Sequence, residues 1–338
     1  MAFRIGINGY GRIGRCVLRA LYEQALNSRV HIVAINELAT NEAIAYLTQV
    51  DSTHGRFPST VDHDSHAMYI DDHRIVLTHD RSLDASYWPE VDLLLDCRGA
   101  IAAREHPMTG FTCPILRSWP NPNADFTVIY GFNQHLLSRS HHDISAASCT
   151  SNACVPVLKA IHESFGIGMG SMTTIHSVMN DQPVIDGYSL GAHLRKTRSA
   201  LQSIIPVETD LAKGVERLLP ELAGRLSARA MRVPVANVSA MELNLVLNKE
   251  TTVSSVNRYL EHWANEQPHV FGFTDDPLTS VDYNHDQRSC IVDGTQTNLS
   301  GHQLLHVLLW FDNEWSYANR MIDITTYIAQ SIFHQSTC

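Results

Sequence analysis

Several features that would place this chain in a specialised class are missing from it. No apolar run in its 338 residues approaches the roughly 20 that a membrane helix needs. The opening stretch Met1–Asn8 is too short and interrupted to read as a signal peptide. Cysteine is scarce, with seven residues at positions 16, 97, 113, 149, 154, 290 and 338 and no C-x-x-C spacing. An odd, scattered set argues against a disulfide framework or a structural zinc site and fits a reducing cytoplasm. A basic surplus is lacking too: Lys plus Arg number 25 against 35 Asp plus Glu, for a formal net charge of −10. That sign opposes nonspecific binding to nucleic acid or an anionic membrane, while leaving room for a local cationic pocket that takes a phosphate. Hydrophobic residues at 44% and charged residues at 18% describe an ordinary globular protein, long enough for two domains.

In the first half, short apolar strands alternate with helical patterns. Phe3–Asn8 and Val30–Asn36 read as buried strands, and a helix between them carries Ile13, Val17, Leu21 and Ala25 on one face. A helix over Asn41–Gln49 follows, then loops and short hairpins over Asp51–Asp80, then strands at Val91–Cys97, Pro114–Leu116 and Phe126–Tyr130. The rhythm predicts an α/β fold with a Rossmann-type doubly wound parallel sheet. After an amphipathic helix over Ser148–Phe165 the pattern changes to long strands at Met169–Val178, Ala228–Val235 and Val238–Leu247. A helix over Val253–Asn265 and strands near Ile291 and over Leu304–Phe311 complete it. This half reads as an α+β catalytic domain with a largely antiparallel sheet. The expected division is a nucleotide-binding domain over 1–148, a catalytic domain over 149–312, and a C-terminal helix over 313–338 that completes the first.

The first strand runs into Gly9-Tyr10-Gly11-Arg12-Ile13-Gly14, a G-x-G-x-x-G that opens a helix. Glycine there permits a tight turn, close backbone approach to a pyrophosphate and close helix–strand packing, and the helix N-terminus favours the anion. Glu37 ends the second strand, 23 residues after Gly14, where an acid binds ribose hydroxyls. A carboxylate there repels a 2′-phosphate, so NAD is favoured over NADP. Asn36 is expected near the adenosine.

The candidate chemistry lies at Ser148-Cys149-Thr150-Ser151-Asn152, where a strand pattern gives way to a helix. A helix N-terminus stabilises a thiolate, so a lowered Cys149 pKa is expected. The base expected with it is His176, at the end of the next strand. Against this stands the ordinary alternative that a given cysteine is a buried spectator and that most of the 19 histidines are structural or solvated.

Together the segments Ile7–Arg15, Ser148–Asn152, Thr174-Ile175-His176, Arg232-Val233-Pro234 and Asp312-Asn313-Glu314-Trp315 resemble the glyceraldehyde-3-phosphate dehydrogenase family, in order and over nearly the whole chain. Asn36-Glu37-Leu38, Asp51–Phe57, Ser203–Thr209, Val281–Asp286 and Ile291–Thr297 are similar to the branch that oxidises erythrose 4-phosphate. The resemblance implies NAD as cofactor, held by Gly9, Gly11, Arg12, Ile13, Gly14, Asn36 and Glu37. It places Asn313 on the nicotinamide carboxamide with Tyr317 nearby. It implies that Cys149 attacks an aldehyde, that His176 takes the proton and stabilises the oxyanion, and that a thioester follows hydride transfer. Ser148, Thr150, Arg195, Thr209 and Arg232 fall on substrate and phosphate motifs, although Arg195–Arg198 reads equally as a basic run in a subunit interface. A homotetramer is implied by resemblance alone.

The chain also departs from the family. Met179 stands where phosphorylating members have threonine, and a thioether cannot donate to phosphate, so water is the expected acyl acceptor. Arg98 replaces another threonine at the end of a sheet strand and is expected either to pair with the dinucleotide phosphates or to crowd the site. Arg117–Pro122, with Trp119, replaces a small-residue loop. The His/Asp clusters at 62–66, 71–73 and 141–143 lack firm ligand spacing, and no metal is assigned. The leading expectation is oxidation of erythrose 4-phosphate to 4-phosphoerythronate, a step towards pyridoxal phosphate. The alternatives are phosphorylating glyceraldehyde-3-phosphate oxidation and a dinucleotide-binding regulator with weak catalysis.

Overall fold

The computed structural model describes residues 2–188 and 194–333. Contacts divide the chain into two units, Met1–Ser148 with Tyr317–Cys338, and Cys149–Ser316.

In the first unit a nine-stranded sheet has Phe3–Asn8 at its centre, paired in parallel with Val30–Asn36 on one side and Leu93–Asp96 on the other. Ile5, Ile7, Ala34, Leu93, Leu94 and Leu95 are buried, as expected of strands covered on both faces. The helix Arg12–Glu23 packs Val17, Leu18 and Leu21 inward, each burial worth about 1.5–3 kcal/mol. It ends before Ala25, which adopts a left-handed φ of 55° and so leaves the helical face it was expected to share. The polar stretch after residue 50 holds more sheet than its composition suggested. His73–Thr78 joins Val30–Asn36 in parallel, and Ala67–Ile70 and Val61–His63 add an antiparallel edge. Ile75 and Leu77 alternate inward there, whereas His73 and Arg74 face solvent.

The second unit is built on seven strands in the order 205–207, 226–232, 167–176, 239–247, 304–311, 290–300, 271–274. Four of its six pairings are antiparallel. The helix Cys149–Phe165 buries most of its length, including Val155, Val157, Leu158 and Ile161. Near the C-terminus the helix begins at Trp315 rather than Asn313. Asp312 Oδ1 accepts from the amides of Glu314 at 3.0 Å and Trp315 at 2.8 Å, a capping arrangement that leaves Asn313 ahead of the first turn and within the second unit. Residues 334–338 of the expected helix lie outside the described residues. Among those described, no helix is long and apolar enough to cross a membrane.

Candidate active site

The glycine turn of the first unit is specified position by position. Gly9 has φ +91°, and a Cβ there would lie 2.7 Å from the Arg98 backbone nitrogen. At Gly14 a Cβ would meet the Gly9 carbonyl oxygen at 2.4 Å, whereas at Gly11 it would meet nothing within 4 Å. The open side of Gly11 is therefore where a ligand backbone can approach closely. The helix starting at Arg12 has no capping side chain and no acid in its first turn, and the positive end of its dipole favours an anion. The amides of Arg12, Ile13 and Gly14 belong to that end.

Around this turn the side chains are engaged with one another. Glu37 Oε2 accepts from the Tyr10 amide at 2.8 Å, tying the end of the second strand to the glycine turn. The Arg12 guanidinium is bound to Asp51. Burial acts to raise the Asp51 pKa, but Arg12 and the amides of His54 and Thr53 outweigh it and hold the carboxyl well below the usual range. Asn36 is buried, and its amide donates to Asn8 Oδ1 at 2.9 Å and to the Asp80 carbonyl at 2.8 Å while accepting from Thr78 and Asp80. It ties the end of its strand to Asn8, Thr78 and Asp80.

Arg98 is likewise committed within the protein. Its Nε and Nη2 each lie 2.9 Å from the buried Asp96, and Nη1 donates to the His106 carbonyl at 2.5 Å. The guanidinium expected either to pair with dinucleotide phosphates or to crowd the site is held here by Asp96 and the His106 carbonyl. Asp96 also receives Arg117 at 3.2 Å, and Arg117 pairs with Asp143 at 2.6 Å and lies over the Trp119 ring at 5.6 Å. The unusual residues 98, 117 and 119 thus belong to one arrangement about a buried carboxylate.

In the second unit, Cys149 is the first residue of its helix and His176 the last of its strand. Cys149 Sγ lies 3.9 Å from His176 Nε2. His176 Nδ1 lies 2.8 Å from the Ser177 carbonyl, which requires the proton on Nδ1 and leaves Nε2 bare towards the sulfur. Burial pushes the Cys149 thiol up to about 11, with amide hydrogen bonds opposing and Glu314 and Asp312 adding to the rise. Burial also lowers His176. Burial thus works against the low thiol pKa that the helix terminus was expected to give.

Strand register sets Arg232 opposite His176. Arg232 binds Asp181 at 2.5 Å, and Lys196 binds the other oxygen of that carboxylate at 3.0 Å. Arg195, Lys196 and Thr209 line a cavity of about 700 Å³, which does not include Arg232 among its lining residues. Thr209 Oγ1 accepts from the Leu211 amide at 3.2 Å. Thr150 follows Cys149 in the first helical turn, and Met179 lies exposed three residues beyond His176. Asn313 is buried beside Ser177 and Ser239. Tyr317 lies in the first unit, where its hydroxyl donates at 3.0 Å to the carbonyl of Ala147, a left-handed residue with φ 58° just before Ser148.

Two family models match this chain. The NAD binding domain of glyceraldehyde 3-phosphate dehydrogenase matches residues 3–104, and the C-terminal domain of that enzyme matches residues 148–313. The chain belongs to the glyceraldehyde-3-phosphate dehydrogenase family. It is an NAD-binding dehydrogenase, with NAD as its cofactor.

For a member of this family, sequence reading located the contiguous motifs and missed the partners that arrive from elsewhere. Asp181, Lys196, Ser177 and Ser239 surround the expected residues but carry no motif of their own. The pairing of the strand that ends at His176 with the one that ends at Arg232 and the one that begins at Ser239 brings Ser177 and Ser239 to one end of the sheet.

Proposed function

We propose that this dehydrogenase oxidises D-erythrose 4-phosphate to 4-phosphoerythronate, with water as the acyl acceptor. The observation that carries the reading is the 3.9 Å approach of Cys149 Sγ to a His176 Nε2 left bare by its Nδ1 partner. As the sulfur closes on the aldehyde carbon, the thiol proton moves to Nε2 and the carbonyl oxygen becomes an oxyanion. The imidazolium then protonates that oxygen, giving a neutral thiohemiacetal. Bound NAD would supply the hydride acceptor for this carbon. The hydroxyl proton passes to Nε2 and on to solvent as the C=O bond re-forms, leaving a thioester. His176 next takes a proton from water attacking the thioester, and returns it to the departing thiolate.

Arg195, Lys196 and Thr209 around the 700 Å³ cavity supply the cationic and hydroxyl lining that a sugar phosphate needs, with Ser148, Thr150 and Arg232 as further candidates. Met179 supports release by water, because its thioether offers no proton to inorganic phosphate. Val184, Ile185, Leu194, Leu201 and Ile204 are exposed apolar residues of one segment, and they support self-association, for which a homotetramer is the proposed state. A reducing cytoplasm is the proposed location, which the few, scattered cysteines suit.

The test is NADH formation in phosphate-free buffer with erythrose 4-phosphate and glyceraldehyde 3-phosphate at matched concentrations. Sustained turnover favouring the four-carbon sugar is expected. A single burst that resumes only with added phosphate would assign the phosphorylating reaction instead. Folded protein that binds NAD yet turns over neither sugar would leave a dinucleotide-binding regulator.

A further inference from the structure

The second unit holds a polar cluster that the chemistry above does not use. Ser177 and Ser239 are fully buried, and both hydroxyls donate to Asn313 Oδ1, at 2.9 and 2.8 Å. The Ser177 amide donates in turn to Ser239 Oγ at 3.2 Å. Each hydroxyl has one proton, and both protons point at the same carbonyl oxygen. Turning the Asn313 amide over would leave two buried O–H groups without acceptors, a costly state. The side chain is therefore held one way round, with Oδ1 inward. Its NH₂ makes no hydrogen bond to the described residues.

We propose that Ser177 and Ser239 are positioning residues that lock Asn313 as a donor to the carbonyl of the nicotinamide carboxamide. The inference rests on the reading that Asn313 meets that group. Ser177 also joins the two halves of the chemistry. Its carbonyl fixes the His176 tautomer, and its hydroxyl fixes the Asn313 amide. One residue thus ties the orientation of the base to that of the hydride acceptor's ring.

The experiment measures equilibrium binding of NAD and of ADP-ribose, which lacks the nicotinamide, to the full chain. Ser177→Ala and Ser239→Ala are each expected to weaken NAD about fivefold, the worth of one buried hydrogen bond. ADP-ribose affinity stays within about twofold in both. Ser239→Thr, which keeps the hydroxyl, retains wild-type affinity and guards against a variant that merely folds poorly. In an Asn313→Ala background the serine substitutions lose their effect on NAD, as a coupled pair requires. Equal loss of both ligands, or no change in either, overturns the proposal. If wild-type protein binds ADP-ribose and NAD equally and Asn313→Ala changes neither, the underlying placement of Asn313 fails and the proposal with it.

Discussion

Arg232 stands opposite His176 in the parallel pairing of their strands, and its positive charge lowers the imidazole pKa while Asp181, bound to Arg232 at 2.5 Å, raises it. The base is therefore set between a cation and the carboxylate that partly cancels it. Asp181→Asn removes the raising charge, so His176 stays neutral to lower pH and the acid limb of kcat/KM moves down. Arg232→Leu removes the lowering charge and moves that limb up. Opposite shifts in the two pH profiles are the expected outcome; shifts of the same sign would mean that these charges do not act on His176.

The Cys149 thiol, pushed up to about 11 by burial, gives a second pH signature. In cofactor-free protein the rate of alkylation by iodoacetamide is expected to rise about tenfold per pH unit from 7 to 10, following the thiolate fraction. A rate already level below pH 8 would mean that thiolate and imidazolium form an ion pair at rest.

Arg98 supports the buried Asp96 with two contacts of 2.9 Å, while Arg117 adds one at 3.2 Å. Arg98→Thr leaves the carboxylate with the weaker partner alone. A loss of about 2–3 kcal/mol in denaturant unfolding is expected, below the full cost of stripping a buried charge because Arg117 remains. Arg98→Lys, which keeps the charge but loses the fork, is expected to fall between the two.

Glu37 holds the glycine turn through the Tyr10 amide at 2.8 Å and presents a carboxylate at the end of the second strand. Glu37→Gln keeps the amide acceptor and removes the charge. The ratio of NAD to NADP affinity is expected to fall by about tenfold, a difference of about 1.4 kcal/mol, with little change in thermal stability. An unchanged ratio would place the adenosine ribose away from this side chain.

What the sequence determined by itself was whatever is local in the chain. The G-x-G-x-x-G turn was legible because its three glycines fall within six residues, and Cys149 because a strand-to-helix switch is written in adjacent residues. The alternation of short strands and helices likewise revealed the central strands of both sheets, but not the edge strands Ile205–Val207 and Phe271–Thr274 or His73–Thr78, whose two inward residues sit among polar neighbours.

Tertiary structure decided everything that depends on what surrounds a group. Asn36 and Arg98 have the residue types of ligand-binding side chains, but Asp80 and Asp96 already occupy them. The clamp on Asn313 joins residues 136 and 74 positions apart in the chain, and neither serine has a pattern of its own. Enclosure raised the Cys149 pKa where the helix terminus alone would have lowered it. The physical reason is the same throughout. A motif specifies which atoms are present, whereas desolvation and hydrogen-bond partners depend on strands that meet only when the sheet has formed.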